Sequence, residues 1–106
     1  GKKILPKPPS SVYIITLGEE AERKAVMLLH LLRANNISAD TDYAGRSLKA
    51  KMRQANELGV RFCVIIGEDE LAKGVVSLKD MESGKQDQIK QEDLIETLRE
   101  KLQFKF

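Results

Sequence analysis

Apolar and β-branched residues run without a break from Val12 to Leu17, the pattern of a strand buried on both faces. Gly18 follows, and Glu19 and Glu20 then suit the first turn of a helix, where the macrodipole favours acids. Ala21, Ala25, Leu28, Leu29 and Leu32 recur at helical spacing and mark one broad apolar stripe. Asn35-Asn36 supplies a left-handed stop. From Ile37 the period changes to two, with Ile37, Ala39, Thr41 and Tyr43 alternating against Ser38, Asp40 and Asp42, so a second strand is expected. Ser47 is a good N-cap for a second helix, which is expected to bury Leu48, Met52 and Ala55 and to end at Gly59. Phe62 to Ile66 reads as a third buried strand. Val75 to Met81 and Lys85 to Lys90 read as two short strands joined by Glu82-Ser83-Gly84, a hairpin signal. Leu94, Ile95, Leu98 and Leu102 mark a closing helix.

The order β-α-β-α-β-β-β-α implies an α/β fold. Two successive strand-helix-strand units give three parallel strands, and the antiparallel hairpin extends them to a five-stranded mixed sheet with three helices. Residues 1–10, with three prolines and three lysines and little apolar content, read as a linker from an upstream region, leaving 11–106 as the domain.

Composition narrows the function classes. A chain of 106 residues fits one compact domain and is short for an enzyme with its own nucleotide and substrate pockets. The net charge of +2 is too small to hold a polyanion, so nucleic-acid binding requires local clustering of Lys and Arg. The single cysteine, Cys63, excludes an internal disulfide and suits a reducing compartment. With no run of roughly 20 apolar residues to span a bilayer and no signal peptide, the expected location is cytoplasmic. His30 lies opposite the apolar stripe, and one His with one Cys supports neither a metal site nor a thiol-based catalytic pair. No catalytic residue and no metal ligand set is expected.

Ligands of open α/β sheets bind beyond the carboxyl ends of the parallel strands. Three segments fall there. Gly18-Glu19-Glu20 puts carboxylates where a phosphate would otherwise sit and lacks the glycine spacing of nucleotide loops, so no cofactor is expected in this chain. Tyr43 offers a face for base stacking, Gly45 permits close backbone approach, and Arg46, Lys49 and Arg53 fall on one side of the second helix. An aromatic beside cations can stack a splayed base and hold its backbone. The same spacing equally describes a solvated helix face with Tyr43 capping the core, the commoner arrangement. Glu68, closing the third strand, is an acceptor-only group suited to the amino or imino edge of an unstacked base, or else simply begins a turn before Asp69 to Lys73.

Several stretches go further. Asp42-Tyr43-Ala44-Gly45-Arg46-Ser47-Leu48-Lys49, Ala55-Asn56-Glu57-Leu58-Gly59-Val60-Arg61-Phe62 and Ile65-Ile66-Gly67-Glu68-Asp69-Glu70-Leu71-Ala72-Lys73-Gly74-Val75-Val76 resemble, in order, the carboxyl-terminal anticodon-binding domains of histidyl-tRNA synthetases. Leu17-Gly18-Glu19-Glu20-Ala21 is similar to that family's opening turn, and Lys79-Asp80-Met81-Glu82-Ser83-Gly84 continues the match. The resemblance covers nearly everything after Ser11. It implies a five-stranded mixed sheet with three helices, in a module shared by the class II synthetases for histidine, threonine, proline and glycine. Gly45-Arg46-Ser47-Leu48-Lys49 points to the histidine branch; Gly59-Val60-Arg61 stands where the prolyl and threonyl relatives usually carry a proline. It further implies a parent, a homodimer, whose separate catalytic domain uses ATP and magnesium to join histidine to tRNA(His), with this module on the anticodon stem-loop. The runner-up is a tRNA-sensing or dimerisation module of a non-catalytic regulatory protein. A free-standing signalling domain of flavodoxin-like topology is disfavoured by the acidic first loop.

Overall fold

The computed structural model describes residues 11–41 and 47–102. Its elements are β1 (Val12–Thr16), α1 (Glu19–Ala34), β2 (Ala39–Thr41), α2 (Leu48–Leu58), β3 (Phe62–Ile66), α3 (Glu68–Lys73), β4 (Val75–Asp80), β5 (Gln86–Lys90) and α4 (Leu94–Leu102), the last entered through a 3-10 turn at Gln91–Asp93. One sheet runs in the order β2-β1-β3-β4-β5. The first three strands are parallel, with Val12 opposite Ala39 and Phe62, while β4 and β5 are antiparallel additions. The mixed sheet implied by the hydrophobic pattern is therefore the observed one.

Two cores form because successive residues of a strand point to opposite faces. On one face Val12, Ile14, Phe62, Val64, Ile66, Val76 and Leu78 meet the α1 stripe (Ala21, Ala25, Leu28, Leu29, Leu32) and Leu94 and Leu98 of α4. On the other, Tyr13, Ile15, Cys63 and Ile65 meet Ala55 and Val60, with Met52 and Met81 at the margin. α2 is the helix on this second face, and its buried residues pack over β1 and β3. The register continues that face onto Ser77 and Lys79 of β4, opposite Ile65 and Cys63, and then onto Gln88 and Gln86 of β5. On this outer half Ser77 is buried beneath Glu70 of α3, while Lys79 is half-buried and Gln86 and Gln88 are exposed.

Four local departures have physical causes. β2 is three residues long rather than running from Ile37, because Asn36 adopts φ 63° and the Ile37 N–H turns back to the Leu32 carbonyl at 2.9 Å. Tyr43, expected at the end of this strand, lies outside the described residues. Leu48, expected in the core, is 40% exposed, whereas Lys51 is 2% exposed. The first turn of α2 stands beyond the end of the sheet, and Lys51 and Ala55, four residues apart, share the inward face. Finally, Glu68–Lys73 forms a short additional helix, its first turn held by Glu70, whose Oε1 accepts from the Gly67 N–H at 2.8 Å.

Candidate nucleic-acid interface

Of the two longer helices that begin at the carboxyl end of the parallel strands, only α2 opens toward an anion. α1 carries Glu19, Glu20 and Glu22 in its first turn, and the short α3 carries Glu68, Asp69 and Glu70. α2 carries no acid there; Ser47 caps it, its side chain accepting from the Ala50 N–H at 3.2 Å, and Lys49 follows. Helix dipole and side-chain charge thus agree at α2 and oppose each other at the other two.

From that end a trough runs along the second sheet face, between α2 and the outer strands. Its upper part, about 660 Å³, is walled by Leu17 and Gly18 on one side, Leu48 and Met52 on another, and Gly67, Glu68 and Asp69 at the mouth, with Gln86 across it. Its lower part, about 540 Å³, shares Met52 and is lined by Lys49, Arg53 and Asn56 of α2 facing Lys79 and the Glu82-Ser83-Gly84 turn. Three cations, Lys49, Arg53 and Lys79, accordingly line one groove together with Met52, Met81 and Glu82, which an isolated solvated helix face would not provide.

The acids at the mouth are not equivalent. Glu70 has both oxygens engaged, one by Gly67 and the other by the Ser77 hydroxyl at 3.0 Å. A Cβ at position 67 would stand 3.0 Å from Glu70 Oε1, so glycine is what lets the carboxylate sit this close. Glu68 is exposed, lines the cleft and makes no hydrogen bond among the described residues.

Of the five residues expected to contact RNA, Lys49 and Arg53 share the lower groove and Glu68 borders the upper one, joined through Met52. Tyr43 and Arg46 lie outside the described residues. The sequence pattern did not single out Lys79 and Gln86, which also line the trough, nor Gln88, their neighbour on the same face. Their signal was the alternation of Ser77 and Lys79 against Val76 and Leu78, but only the topology places that polar face beside α2. Another hollow, about 410 Å³ between α1 and β2, opens on Glu19 and Glu22 against a single Arg23, a poor setting for a polyanion.

No group of three His, Cys, Asp or Glu suited to a metal occurs among the described residues. Cys63 is fully buried, and burial pushes its thiol up to about 11 despite the nearby Lys79 charge, which makes it a core residue rather than a nucleophile. No described helix is long and apolar enough to cross a membrane.

The structure is thus an α/β module with a mixed sheet and a groove that gathers three cations, and comparison with known proteins gives its family. The model of the anticodon binding domain matches residues 11–101, and the chain belongs to that family. It is 44% identical over 96 residues to a histidine–tRNA ligase of Listeria monocytogenes, covering 91% of this chain and 23% of that protein. Among solved structures, apo histidyl-tRNA synthetase of S. aureus superposes with a TM-score of 0.80 at 38% identity, over 86% of this chain and 23% of that one. Histidyl-tRNA synthetase from a Nostoc species gives a TM-score of 0.83 at 33% identity, over 89% and 23%. The chain thus spans about a quarter of the length of the relatives it matches.

Proposed function

We propose that this chain is the anticodon-binding module of a histidine–tRNA ligase and that the trough beside α2 holds the anticodon stem-loop of tRNA(His). The observation that supports this reading is the convergence of Lys49, Arg53 and Lys79 on one groove between α2 and the half-buried end of β4. Cations on the α2 wall hold the RNA backbone, and the sheet floor with Glu68 at its mouth meets splayed bases. Tyr43 and Arg46, in the loop leading into α2, complete the proposed contact set as stacking face and backbone cation. The ligase name carried by the relatives favours the synthetase reading over a regulatory module.

In this reading the chemistry belongs to the remainder of the parent, a homodimer working in the cytoplasm, whose catalytic domain takes up ATP, magnesium and histidine. The residues described here do not suit a nucleotide: the first turns of α1 and α3 present three acids each where a phosphate would be cradled. The chain alone is therefore a binding module.

The test is the salt dependence of binding to an RNA hairpin carrying the histidine anticodon. Each neutralised phosphate contributes about 0.7–0.9 to the log–log slope. Lys49→Ala and Lys79→Ala should each weaken binding and flatten the slope by about one contact. Unchanged slopes in both variants would move the backbone contact away from this groove.

A further inference from the structure

Lys51 is the least expected side chain of the second face. It sits in α2 with 2% of its surface exposed, and its Nζ donates to the Thr16 carbonyl at 2.7 Å. Among the described residues it forms no ion pair. Its one acceptor among the described residues is that neutral carbonyl; burying an ammonium there is costly, and an apolar side chain of similar length would fill the space without that penalty. The position has a geometric consequence. Thr16 is the last residue of β1, directly before Leu17 and Gly18, which form one wall of the upper cleft. Leu48 and Met52, flanking Lys51 on α2, form the facing wall. The Leu17 N–H is itself tied to the Ile66 carbonyl at 2.9 Å, so the β1 wall is anchored to β3. The Lys51–Thr16 bond thus adds a polar tie between α2 and this frame, beside the packing of Ala55.

We propose that Lys51 is a positioning residue for RNA: it sets the width of the cleft mouth and the seat of Lys49 and Arg53 on its own helix, without touching the nucleic acid. The inference rests on the trough being the RNA site. Being buried, Lys51 releases no counterion on binding, so its loss should change how well bases are told apart but not the salt slope. Relief of the desolvated ammonium should at least offset the donor lost to the Thr16 carbonyl, so the fold should be no less stable, an outcome opposite to that of a purely structural tie.

The experiment uses this chain, the hairpin with the histidine anticodon, and a hairpin with its anticodon bases substituted. For wild type, Lys51→Met and Lys51→Gln, binding is measured across a salt series and thermal stability by melting. Lys51→Met is expected to lose about tenfold of the preference between hairpins, the equivalent of one base contact, with an unchanged salt slope and a melting temperature no lower than wild type. Lys51→Gln, which keeps a donor, should recover part of the preference. Full preference in Lys51→Met overturns the proposal, as does a Lys51→Met chain that melts lower or fails to fold, since Lys51 would then be structural. A flattened slope would make it a direct contact and overturn it too. If wild type itself shows no preference, the trough reading fails first and this inference goes with it.

Discussion

Glu68 and Glu70 share one short helical turn, yet only Glu68 has oxygens to spare. Glu70 spends both on Gly67 and Ser77, whereas Glu68 faces the cleft without a protein partner among the described residues. Amidation should separate the two. If the cleft mouth meets bases as proposed, Glu68→Gln, which exchanges an acceptor for a donor there, should cost the cognate hairpin roughly 1–3 kcal/mol relative to a substituted one, with no change in melting. Glu70→Gln should lower stability by about 1 kcal/mol in a urea titration and affect binding only through the cleft wall. Sequence reading singled out Glu68 but had no means of distinguishing it from its neighbour, because the distinction lies in Ser77, seven residues away and reached only through the turn at Gly74. Lys51 was hidden for a related reason: pattern reading assigns lysine to solvent, and nothing local announces a carbonyl 35 residues earlier as its partner. The Cys63 thiol gives a pH prediction. Its ionisation is pushed from 9.0 to about 11 in the fold, so the stabilisation from keeping it protonated is complete below pH 9 and is lost as pH rises through about 11. Cys63→Ala should remove that alkaline slope, read from melting temperatures between pH 8 and 11.

At the scale of elements, the long ones were legible because each carries a redundant pattern. The α1 stripe gave five apolar positions, and these same five are its buried residues. The ends of α2 were equally readable, since Ser47 caps the start and Gly59 takes φ 73° at the stop, a left-handed conformation that glycine adopts without strain. Ser47→Ala should destabilise the chain by about 1 kcal/mol, measured by thermal melting. It should also weaken RNA binding, because the cap orients the one acid-free helix start at the carboxyl end of the sheet. The β4–β5 hairpin was legible as a hairpin, and its tip is set by Asp80, whose Oδ1 accepts from the N–H groups of Glu82 at 2.9 Å and Ser83 at 3.3 Å. Partial burial pushes the Asp80 carboxyl upward, but those two donors and the Arg61 charge outweigh it and hold it below 3.8. Stability from this turn is thus present above about pH 4 and lost as pH falls through the depressed value. The short helix α3 was not legible as a helix, because six residues give too few turns for a period to show.

At the scale of the molecule, what sequence could not supply was adjacency. Lys49, Arg53 and Lys79 come from α2 and β4, and only the order β2-β1-β3-β4-β5 with α2 over its first half puts them around one groove. In the proposed reading the chemistry belongs to the remainder of the parent, so the purified chain should show no histidine-dependent ATP–pyrophosphate exchange, and turnover in that assay would contradict it. The most direct test of the central claim is amide chemical-shift mapping of the labelled chain with the histidine-anticodon hairpin at low salt. Perturbations should concentrate at Lys49, Met52, Arg53, Glu68, Lys79, Gln86 and Gln88, with α1 and α4 residues such as Met27, Leu31 and Arg99 unmoved. Shifts centred on α1 or α4, with the trough silent, would contradict the claim.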